Sequence, residues 1–215
     1  SLSKYSEEYD VSIINVCGEW DSYSKLLEKN SIKIIRLNLK YFKFLPKRGY
    51  LASRMSYIII FLLSFFPLLA LLKKEEPNTI ILHLITSLPL TLLSLFTFKT
   101  KFILRISGYP KLNFLRKAFW RKVSTKLSCV TSPTIGLKLD LLSNNIFPYN
   151  KILHLPDAII EVNKIPDLLN YDTADINLPK NKKIIISAGR LTKQKNFSYL
   201  INKFFEFSKE CKEYI

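Results

Sequence analysis

Residues 184–197 read IIISAGRLTKQKNF, and this stretch decides the predicted fold of the chain. Three consecutive isoleucines predict a buried strand, which Ser187, Ala188 and Gly189 follow with little side-chain bulk. A polar basic loop comes next, and Asn196 can then cap a helix. The apolar residues of that helix keep the i, i+3, i+4, i+7, i+8 spacing: Phe197, Leu200, Ile201, Phe204 and Phe205. The stretch therefore predicts a strand, a small-residue turn, a basic loop and a helix.

This strand–loop–helix unit favours the binding of an anion. Backbone N–H groups at the start of a helix point towards the preceding loop, where Arg190, Lys193 and Lys195 add positive charge. A diphosphate suits that combination of N–H donors and cations. The same unit with solvated loop cations also occurs in α/β proteins that bind no phosphate, so the pattern by itself leaves both interpretations open.

The stretch closely resembles the strand–loop–helix that opens the C-terminal domain of family-4 retaining glycosyltransferases, which have the GT-B fold. In that family a hydrophobic strand is followed by G-R-L-x-x-x-K-G or K-N. The resemblance implies that Arg190 and Lys195 bind the diphosphate of a nucleotide-sugar donor and that Gly189 lines the cleft. Asn196 stands where the family most often has Gly, which is a mild departure.

The overall composition indicates a basic globular protein with an anionic partner. The 215 residues are enough for one large or two modest domains, and 48% of them are apolar. Lys and Arg number 33 against 17 acidic residues, and the net charge of +16 implies nucleic acid, a lipid surface or a phosphorylated substrate. Cys17, Cys129 and Cys211 stand far apart, so neither a disulfide framework nor a zinc site is indicated.

On the N-terminal side of residues 184–197, strand-like and helical segments alternate along the chain. Strands are predicted at residues 11–16, 32–37, 79–84, 100–106, 129–131 and 151–155, and helices at 20–30, 87–98, 111–127 and 134–143. This alternation predicts an α/β fold: a Rossmann-like parallel sheet flanked by helices, followed by the first strand–loop–helix of a second such domain. The predicted domains are residues 1–165 and 182–215, joined by a polar linker at 166–181 that contains two prolines at its edges.

The resemblance to the GT-B enzymes extends across residues 10–207. It implies that residues 1–165 form the acceptor-side domain and that residues 182–215 begin the nucleotide-sugar-binding domain. The family's first strand would lie upstream, which suggests a chain trimmed at its start. The E-x₇-E element that completes the family's donor site does not follow Lys195. We therefore expect an incomplete donor pocket and little or no activity from this chain by itself.

Three residues near predicted strand ends are candidates for one cleft. His83 ends one strand, and Arg105 and Gly108 stand at the end of the next. In an open parallel sheet, ligands bind at the carboxyl ends of the strands. A lone histidine in an apolar run is often a core residue, and a strand-end arginine often makes an ion pair. The resemblance instead implies that His83 faces the cleft, contacts the donor sugar and acts in catalysis.

The chemistry that the resemblance implies is a retaining sugar transfer in the synthesis of cell-surface polysaccharide. A nucleotide-sugar would be the donor, and a saccharide or lipid-linked saccharide the acceptor. Arg190, Lys195 and the helix start would neutralise the leaving diphosphate, so no metal and no separate cofactor are expected. The sequence contains no nucleophile elbow, H-E-x-x-H or P-loop motif.

Two apolar runs, residues 57–72 and 79–98, leave a second function open. Hydropathy alone predicts a membrane hairpin with basic outer flanks, which would make the chain a small basic membrane-anchored protein. The first run, however, is shorter than the ~20 residues that a spanning helix needs. Each run contains a proline, and the second divides into a strand at 79–84 and a helix at 87–98. These features favour placing both runs inside the α/β domain.

The helix predicted at residues 111–127 combines an aromatic edge with six cations: Lys111, Arg116, Lys117, Arg121, Lys122 and Lys126. Such a basic amphipathic helix can lie on an anionic membrane, although a merely solvated basic face fits the same composition. Its aromatic residues follow helical spacing and not that of a nucleic-acid platform, so a nucleic-acid partner is disfavoured. We therefore expect a cytoplasmic protein that is peripheral at the inner face of the membrane.

Overall fold

The computed structural model of the chain describes residues 8–37, 42, 45, 50–83, 86–157, 181–193 and 195–214. The chain forms two compact units, Ser1–Ile159 (the first unit) and Ile160–Ile215 (the second unit). The predicted linker at residues 166–181 lies outside the described residues except for position 181. The boundaries at 165 and 182 therefore stay predictions.

In its described part, the first unit has six strands and five α-helices. The strands are β1 (Ser12–Asn15), β2 (Lys33–Arg36), β3 (Thr79–Leu82), β4 (Lys101–Arg105), β5 (Cys129–Ser132) and β6 (Ile152–His154). The helices are α1 (Ser24–Lys29), α2 (Tyr50–Glu75), α3 (Ser87–Leu95), α4 (Phe114–Ser124) and α5 (Ile135–Ser143). Single 3₁₀ turns, Asp21–Tyr23 and Tyr149–Lys151, precede α1 and β6. All the strands and helices predicted for this part of the chain are confirmed, and α2 is the additional helix.

Every strand pair in the described part of the first unit is parallel. β1 pairs with β2, and β3, β4, β5 and β6 form a four-stranded sheet in that order. Parallel neighbours need a crossover connection, and α3, α4 and α5 provide the three crossovers of this larger sheet. The predicted fold class is confirmed: the chain is an α/β protein with Rossmann-like parallel sheets flanked by helices.

A row of apolar residues crosses the larger sheet. Leu82, Leu104, Val130 and Ile152 are register partners on successive strands, and each side chain is at most 4% exposed. Burial of each such side chain stabilises the fold by about 1.5–3 kcal/mol. A shift of one residue would turn them to the other face of the sheet. The row therefore fixes the register and, with it, which residues meet at the carboxyl ends of the strands.

The apolar run at residues 79–98 does not form a membrane helix. It divides into β3 and α3, and Pro89 lies in the first turn of α3 as the sequence predicts. β3 is paired with β4, while Leu88 and Leu92 are 1% and 0% exposed in the core. The alternative of a two-helix membrane hairpin is therefore wrong, because its second helix is part of the sheet and its cover.

The other apolar run lies within α2, which spans 26 residues and continues through Pro67. The helix is thus longer than the run at 57–72 suggested. Within the described residues, Leu51–Glu75 is the one helix whose length and composition would suffice to cross a membrane. However, Leu68 and Leu72 of α2 are 4% and 2% exposed and belong to the core. One face of α2 is therefore built into the first unit.

The second unit contains α6 (Phe197–Glu210), which confirms the predicted helix. The strand predicted at residues 184–186 is wrong: its three isoleucines are between 38% and 79% exposed and form no strand. Backbone pairing in the described part of this unit is limited to one parallel bridge between Lys183 and Tyr214. An apolar run becomes a strand only where neighbours pair with its N–H and C=O groups and cover its side chains.

Candidate functional site

His83 and Arg105 meet at the carboxyl edge of the larger sheet. Leu82 and Leu104 are register partners in the parallel pair of β3 and β4, so the positions after them are neighbours across the two strands. His83 directly follows β3, and Arg105 is the last residue of β4. The structure therefore brings together two residues for which the sequence predicts a common cleft.

Asp157 joins this edge through an ion pair with Arg105. The side chains of Arg105 and Asp157 are 21% and 32% exposed, so the pair is partly shielded from water. Asp157 lies three residues beyond β6, whose carboxyl end belongs to the same edge of the sheet. Sequence reasoning gave Asp157 no role, since its spacing does not reveal a partner 52 residues away at Arg105. Its position shortly after a predicted strand was the one sequence feature that could have pointed to the sheet edge.

The surroundings of His83 favour its neutral imidazole. Burial lowers the pKa of His83 below its ordinary value, and the positive charge of Arg105 lowers that pKa further. A neutral imidazole has one N–H donor and one acceptor nitrogen. His83 can therefore hydrogen-bond a hydroxyl group or accept a proton at neutral pH.

Two capped helices begin at the same edge of the sheet. At the start of α4, Asn113 Oδ1 accepts a hydrogen bond of 2.9 Å from the Arg116 backbone N–H. At the start of α5, Thr134 Oγ1 accepts one of 3.2 Å from the Leu137 N–H. Because α4 and α5 follow β4 and β5, the positive ends of their dipoles lie on the carboxyl side of the sheet. This side is suited to an anionic or hydroxyl-rich ligand.

Gly108 lies in the loop between β4 and α4. A Cβ atom at Gly108 would meet no atom within 4 Å, so packing inside the protein does not require glycine there. The adjacent Tyr109 places its hydroxyl 3.2 Å from the Cβ position of Gly136, in the first turn of α5. Open space at Gly108 leaves room for a ligand, and the cleft-lining role of Gly108 stays a prediction.

A groove of about 420 Å³ opens at the carboxyl end of β1, between the following loop and α2. Asn15 shapes that loop: its Oδ1 accepts from the Gly18 N–H at 3.0 Å, and its Nδ2 donates to Asp21 at 3.1 Å. Gly18 has φ +79°, and a Cβ there would lie 2.9 Å from an Asp21 oxygen, so this turn requires glycine. Residues lining the groove include Cys17, Glu19, Phe42, Ser56, Tyr57 and Ile60. Sequence reasoning missed the groove because its walls are distant in the chain.

The surroundings of two of the three cysteines keep their side chains protonated. All three are free thiols. Burial, and then the negative charge of Glu19, raise the pKa of Cys17 to about 11, and burial raises the pKa of Cys129. Both side chains are thus protonated thiols at neutral pH. In the described part of the chain, no group of three or more His, Cys, Asp or Glu side chains could hold a metal ion.

In the second unit, the basic loop folds into a tight turn ahead of α6. We call residues 189–193, 195 and 196 the basic turn. The N–H groups of Lys195 and Asn196 both donate to the Thr192 carbonyl, at 3.0 and 3.2 Å. Asn196 stands at the N-cap position, but its side chain makes no bond to the first turn of α6, so the predicted cap is wrong. The reason is its φ of 49°, because a capping side chain needs extended backbone.

That left-handed backbone explains which residues suit position 196. Glycine adopts it at no steric cost, and asparagine is among the few other residues that tolerate it. The resemblance noted above marks Gly as the usual residue at this position. The Asn196 departure is therefore compatible with the same turn.

Within the basic turn, Lys195 packs close to the backbone that leads into Arg190. A Cβ on Gly189 would lie 3.4 Å from the Phe197 ring and 3.6 Å from Lys195 Cδ. The stem of Lys195 therefore packs against the backbone immediately before Arg190. Both cations are exposed, and neither is paired with an acidic side chain in the described part of the chain. Their charges, and the first N–H groups of α6, can serve an anion.

Several cations of residues 111–127 hold the first unit together. Lys126 Nζ donates to three carbonyls at the end of α3, at distances from 2.8 to 3.3 Å. Arg121 donates to two carbonyls just beyond α5, at 2.8 and 3.1 Å, and Lys117 donates to the Asn144 side chain at 2.6 Å. Cations at helix C-termini satisfy unpaired carbonyls and interact favourably with the helix dipole. Arg116 also donates to the Lys111 carbonyl at 2.9 Å, so four of the six cations have structural partners, and membrane binding through this segment stays a prediction.

The comparisons with known proteins identify a fold. No protein-family model and no curated protein matches the chain. Among solved structures, the chain is similar to a glycosyltransferase from Rickettsia africae, with a TM-score of 0.60 and 16% sequence identity. The match covers 97% of this chain and 52% of that one, so the chain spans about half the length of this neighbour. At this identity the likeness is one of fold: the chain shares the architecture of half of a glycosyltransferase.

Proposed function

We propose that the chain is part of a retaining glycosyltransferase of the GT-B type that uses a nucleotide-sugar donor. The fold shared with a glycosyltransferase supports the class of enzyme. The basic turn carries the proposal for the donor, since Lys195 packs on Gly189 beside Arg190 at the start of α6. In this proposal, Arg190, Lys195 and the N-terminus of α6 together bind one diphosphate.

In this proposal the basic turn stabilises the leaving group. The bond between the sugar C1 and the diphosphate oxygen breaks, and both electrons stay on the diphosphate. The acceptor hydroxyl forms the new bond to C1, and its proton passes to the departing diphosphate oxygen. Arg190, Lys195 and the N–H groups of α6 would hold the growing negative charge, which is the electrostatic part of the catalysis. We expect this binding to need no divalent cation.

The carboxyl edge of the larger sheet is proposed to contact the sugar and the acceptor. His83 would hydrogen-bond a sugar hydroxyl through its neutral imidazole, while the partner Asp157 holds Arg105 in place. The acceptor would be a saccharide or a lipid-linked saccharide in cell-surface polysaccharide synthesis. We further propose a cytoplasmic protein that is peripheral at the inner face of a membrane, and the net charge of +16 supports attraction to anionic lipids there.

A thermal-shift measurement with nucleoside diphosphates tests the donor proposal. We expect a nucleoside diphosphate to raise the melting temperature of the chain more than the corresponding monophosphate does, with or without a chelator. Arg190→Ala and Lys195→Ala should each remove the added shift. Lys193→Ala is the matched control, because Lys193 is an exposed cation of the same turn outside the predicted ligand pair. An unchanged shift in Arg190→Ala contradicts the proposal.

Transfer itself is a separate measurement. We expect the purified 215-residue chain to transfer no sugar from a radiolabelled nucleotide-sugar, because the E-x₇-E element of the resembling family does not follow Lys195. Measurable transfer by this chain would show that its own residues suffice for the reaction.

A further inference from the structure

The groove between α2 and the loop after β1 has the size of a small-molecule site. Its volume of about 420 Å³ lies within the ~300–1,000 Å³ of typical ligand pockets. Phe42 and Ser56 are buried members of its lining, at 4% and 8% exposure, whereas Glu19 and Tyr57 are exposed members. The lining therefore extends from the interior of the first unit to the solvent, as an open binding site requires.

Tyr57 connects the groove to the sheet edge at which His83 lies. The Tyr57 hydroxyl is in hydrogen-bond contact with that of Ser87, the first residue of α3. His83 directly follows β3 and stands four residues before Ser87. A ligand in the groove would therefore lie beside the carboxyl end of β3, and ligands of parallel sheets bind at carboxyl ends of strands.

Several hydrogen-bond donors of the described lining are already engaged inside the protein. The Gly18 N–H donates to the Asn15 side chain at 3.0 Å, and the Cys17 N–H donates to a Glu19 carboxylate oxygen at 2.7 Å. The Ser56 hydroxyl donates to a carbonyl of its own helix at 2.9 Å. The Glu19 carboxylate, by contrast, has acceptor sites beyond the one that Cys17 uses. The groove therefore suits a ligand that supplies donors.

The charge at the groove is negative, although the chain as a whole carries +16. Among the described residues that line it, Glu19 is charged and none is Lys or Arg. The charge of Glu19 acts on the groove wall, since it adds to the effect of burial in raising the pKa of Cys17 to about 11. A phosphate or carboxylate would meet repulsion from Glu19 without a cation to offset it. The lining therefore favours an uncharged ligand.

Apolar side chains supply the rest of the lining: Phe42, Leu45, Tyr57 and Ile60. A sugar ring has one face of C–H groups that packs on aromatic rings, and its hydroxyl groups donate to carboxylates. It thus matches both parts of the lining, the apolar surface and the Glu19 acceptor. A purely apolar ligand would instead leave that carboxylate facing hydrocarbon, which is costly.

We propose that the groove binds an uncharged saccharide and discriminates against phosphorylated sugars, with Tyr57 packing on the sugar ring and Glu19 accepting from its hydroxyls. The binding requires no transfer reaction. Only the identification of this saccharide as the acceptor rests on the proposed function. In that case the acceptor hydroxyl is held beside the strand end at which His83 lies.

A titration of the full chain by saturation-transfer-difference NMR tests the proposal. The ligands are the methyl glycosides of glucose, galactose and mannose, and the 6-phosphates of the same sugars serve as competitors. We expect at least one methyl glycoside to bind, and its 6-phosphate to displace it at least about fivefold less effectively than the unlabelled glycoside does. This preference is informative because a net charge of +16 by itself attracts the phosphates more strongly.

Two variants assign the binding to the groove. Tyr57→Ala removes an exposed wall, and we expect the affinity for the glycoside to fall at least about tenfold. Glu19→Gln removes the charge at nearly constant size and should weaken the glycoside about threefold while reducing the discrimination against its 6-phosphate. Tyr149→Ala is the matched control, because Tyr149 is a 76% exposed tyrosine of the same unit outside the groove lining, and it should bind like the parent chain.

Each contrary result overturns the proposal. Absence of binding by all three methyl glycosides does so, as does displacement by the 6-phosphates at the concentrations at which the glycosides displace one another. Equal weakening in Tyr57→Ala and Tyr149→Ala would place the site elsewhere, and equally effective displacement by 1-hexanol would show an apolar ligand. Circular dichroism melts verify folding, and Glu19→Gln gives the comparison if Tyr57→Ala unfolds. Failure here leaves the diphosphate proposal standing, because the thermal shift measures a different site.

Discussion

The run KFILR at β4 and the run KKIIIS at residues 182–187 are alike in sequence, yet the first forms a strand and the second does not. β4 pairs with a parallel strand on each side, and its Phe102 and Leu104 are both 0% exposed. The isoleucines of the second run are between 38% and 79% exposed, with one bridge beside them at Lys183. The difference teaches that local β-propensity is insufficient. Backbone pairing and a covered face turn an apolar run into a strand.

The largest expected effect is in the centre of the paired run. Replacement of Phe102 by Ala should lower the free energy of unfolding by about 3–5 kcal/mol, because the side chain is fully buried. Ile185→Ala, at a side chain that is 49% exposed, should cost less than about 0.5 kcal/mol. Urea unfolding followed by circular dichroism measures both. A similar loss of unfolding free energy in the two variants would mean that residues 184–186 are buried, which would contradict the difference between the two runs.

A smaller effect is expected where cations contact helix ends. Lys126→Met removes the donor to three carbonyls at the end of α3 and should destabilise the first unit by about 1 kcal/mol. Lys122→Met serves as the control, since Lys122 is an exposed cation of the same region. Its replacement should change the free energy of unfolding by less than about 0.5 kcal/mol. If the two variants unfold at the same urea concentration, the carbonyl contacts of Lys126 add nothing to stability.

Removal of the buried Ser64 hydroxyl in α2 is expected to increase stability. The Ser64 hydroxyl is 0% exposed and has no hydrogen-bond partner in the described part of the chain. Ser64→Ala should therefore raise the free energy of unfolding by up to about 1 kcal/mol. Ser56→Ala is its counterpart on the same helix, because Ser56 Oγ donates to the Ala52 carbonyl at 2.9 Å. A loss of stability in Ser64→Ala would reveal a partner for that hydroxyl.

The smallest expected effect is a change in the pKa of His83 at the sheet edge. The pKa of His83 should lie below its ordinary value in an NMR titration, and Arg105→Gln should raise that pKa by removing a neighbouring positive charge. Lys101→Gln, at the other end of β4, should leave it unchanged. Because the pKa of His83 is lower in the folded protein, the unfolded chain binds the proton more readily. The free energy of unfolding therefore falls a little as the pH decreases from the ordinary histidine pKa towards the lowered pKa. A His83 pKa that falls in Arg105→Gln contradicts this account.

Sequence patterns were sufficient for the elements of the first unit. Alternating apolar strands and periodic helices predict β1 to β6 and four of the five helices, because hydrophobic periodicity reflects burial in this parallel sheet. The division of residues 79–98 also follows from Pro89, which fits a first helical turn. The pairing of His83 with Arg105 could be expected too, since both follow consecutive strands of a parallel sheet.

Other features depend on contacts that no local pattern contains. Asp157 reaches Arg105 across the sheet edge, and the groove at Gly18 is completed by α2. In the sequence, the cations of residues 111–127 look like a free basic face. The structure shows that Arg121 of α4 and Lys126, just beyond it, bond to carbonyls at the ends of α5 and α3. The backbone at Asn196 is left-handed, which cancels a cap that composition alone suggests. In each case a tertiary contact or a backbone angle decides the outcome.

Hydrogen–deuterium exchange with and without a nucleoside diphosphate tests the central claim most directly, because it reports on each region separately. We expect added diphosphate to slow exchange at the amides of residues 189–197 and to leave the already protected amides of β4 unchanged. The same addition to Arg190→Ala should produce no slowing. Unchanged exchange at residues 189–197 in the parent chain, or equal slowing in Arg190→Ala, would contradict the claim that the basic turn binds the donor diphosphate.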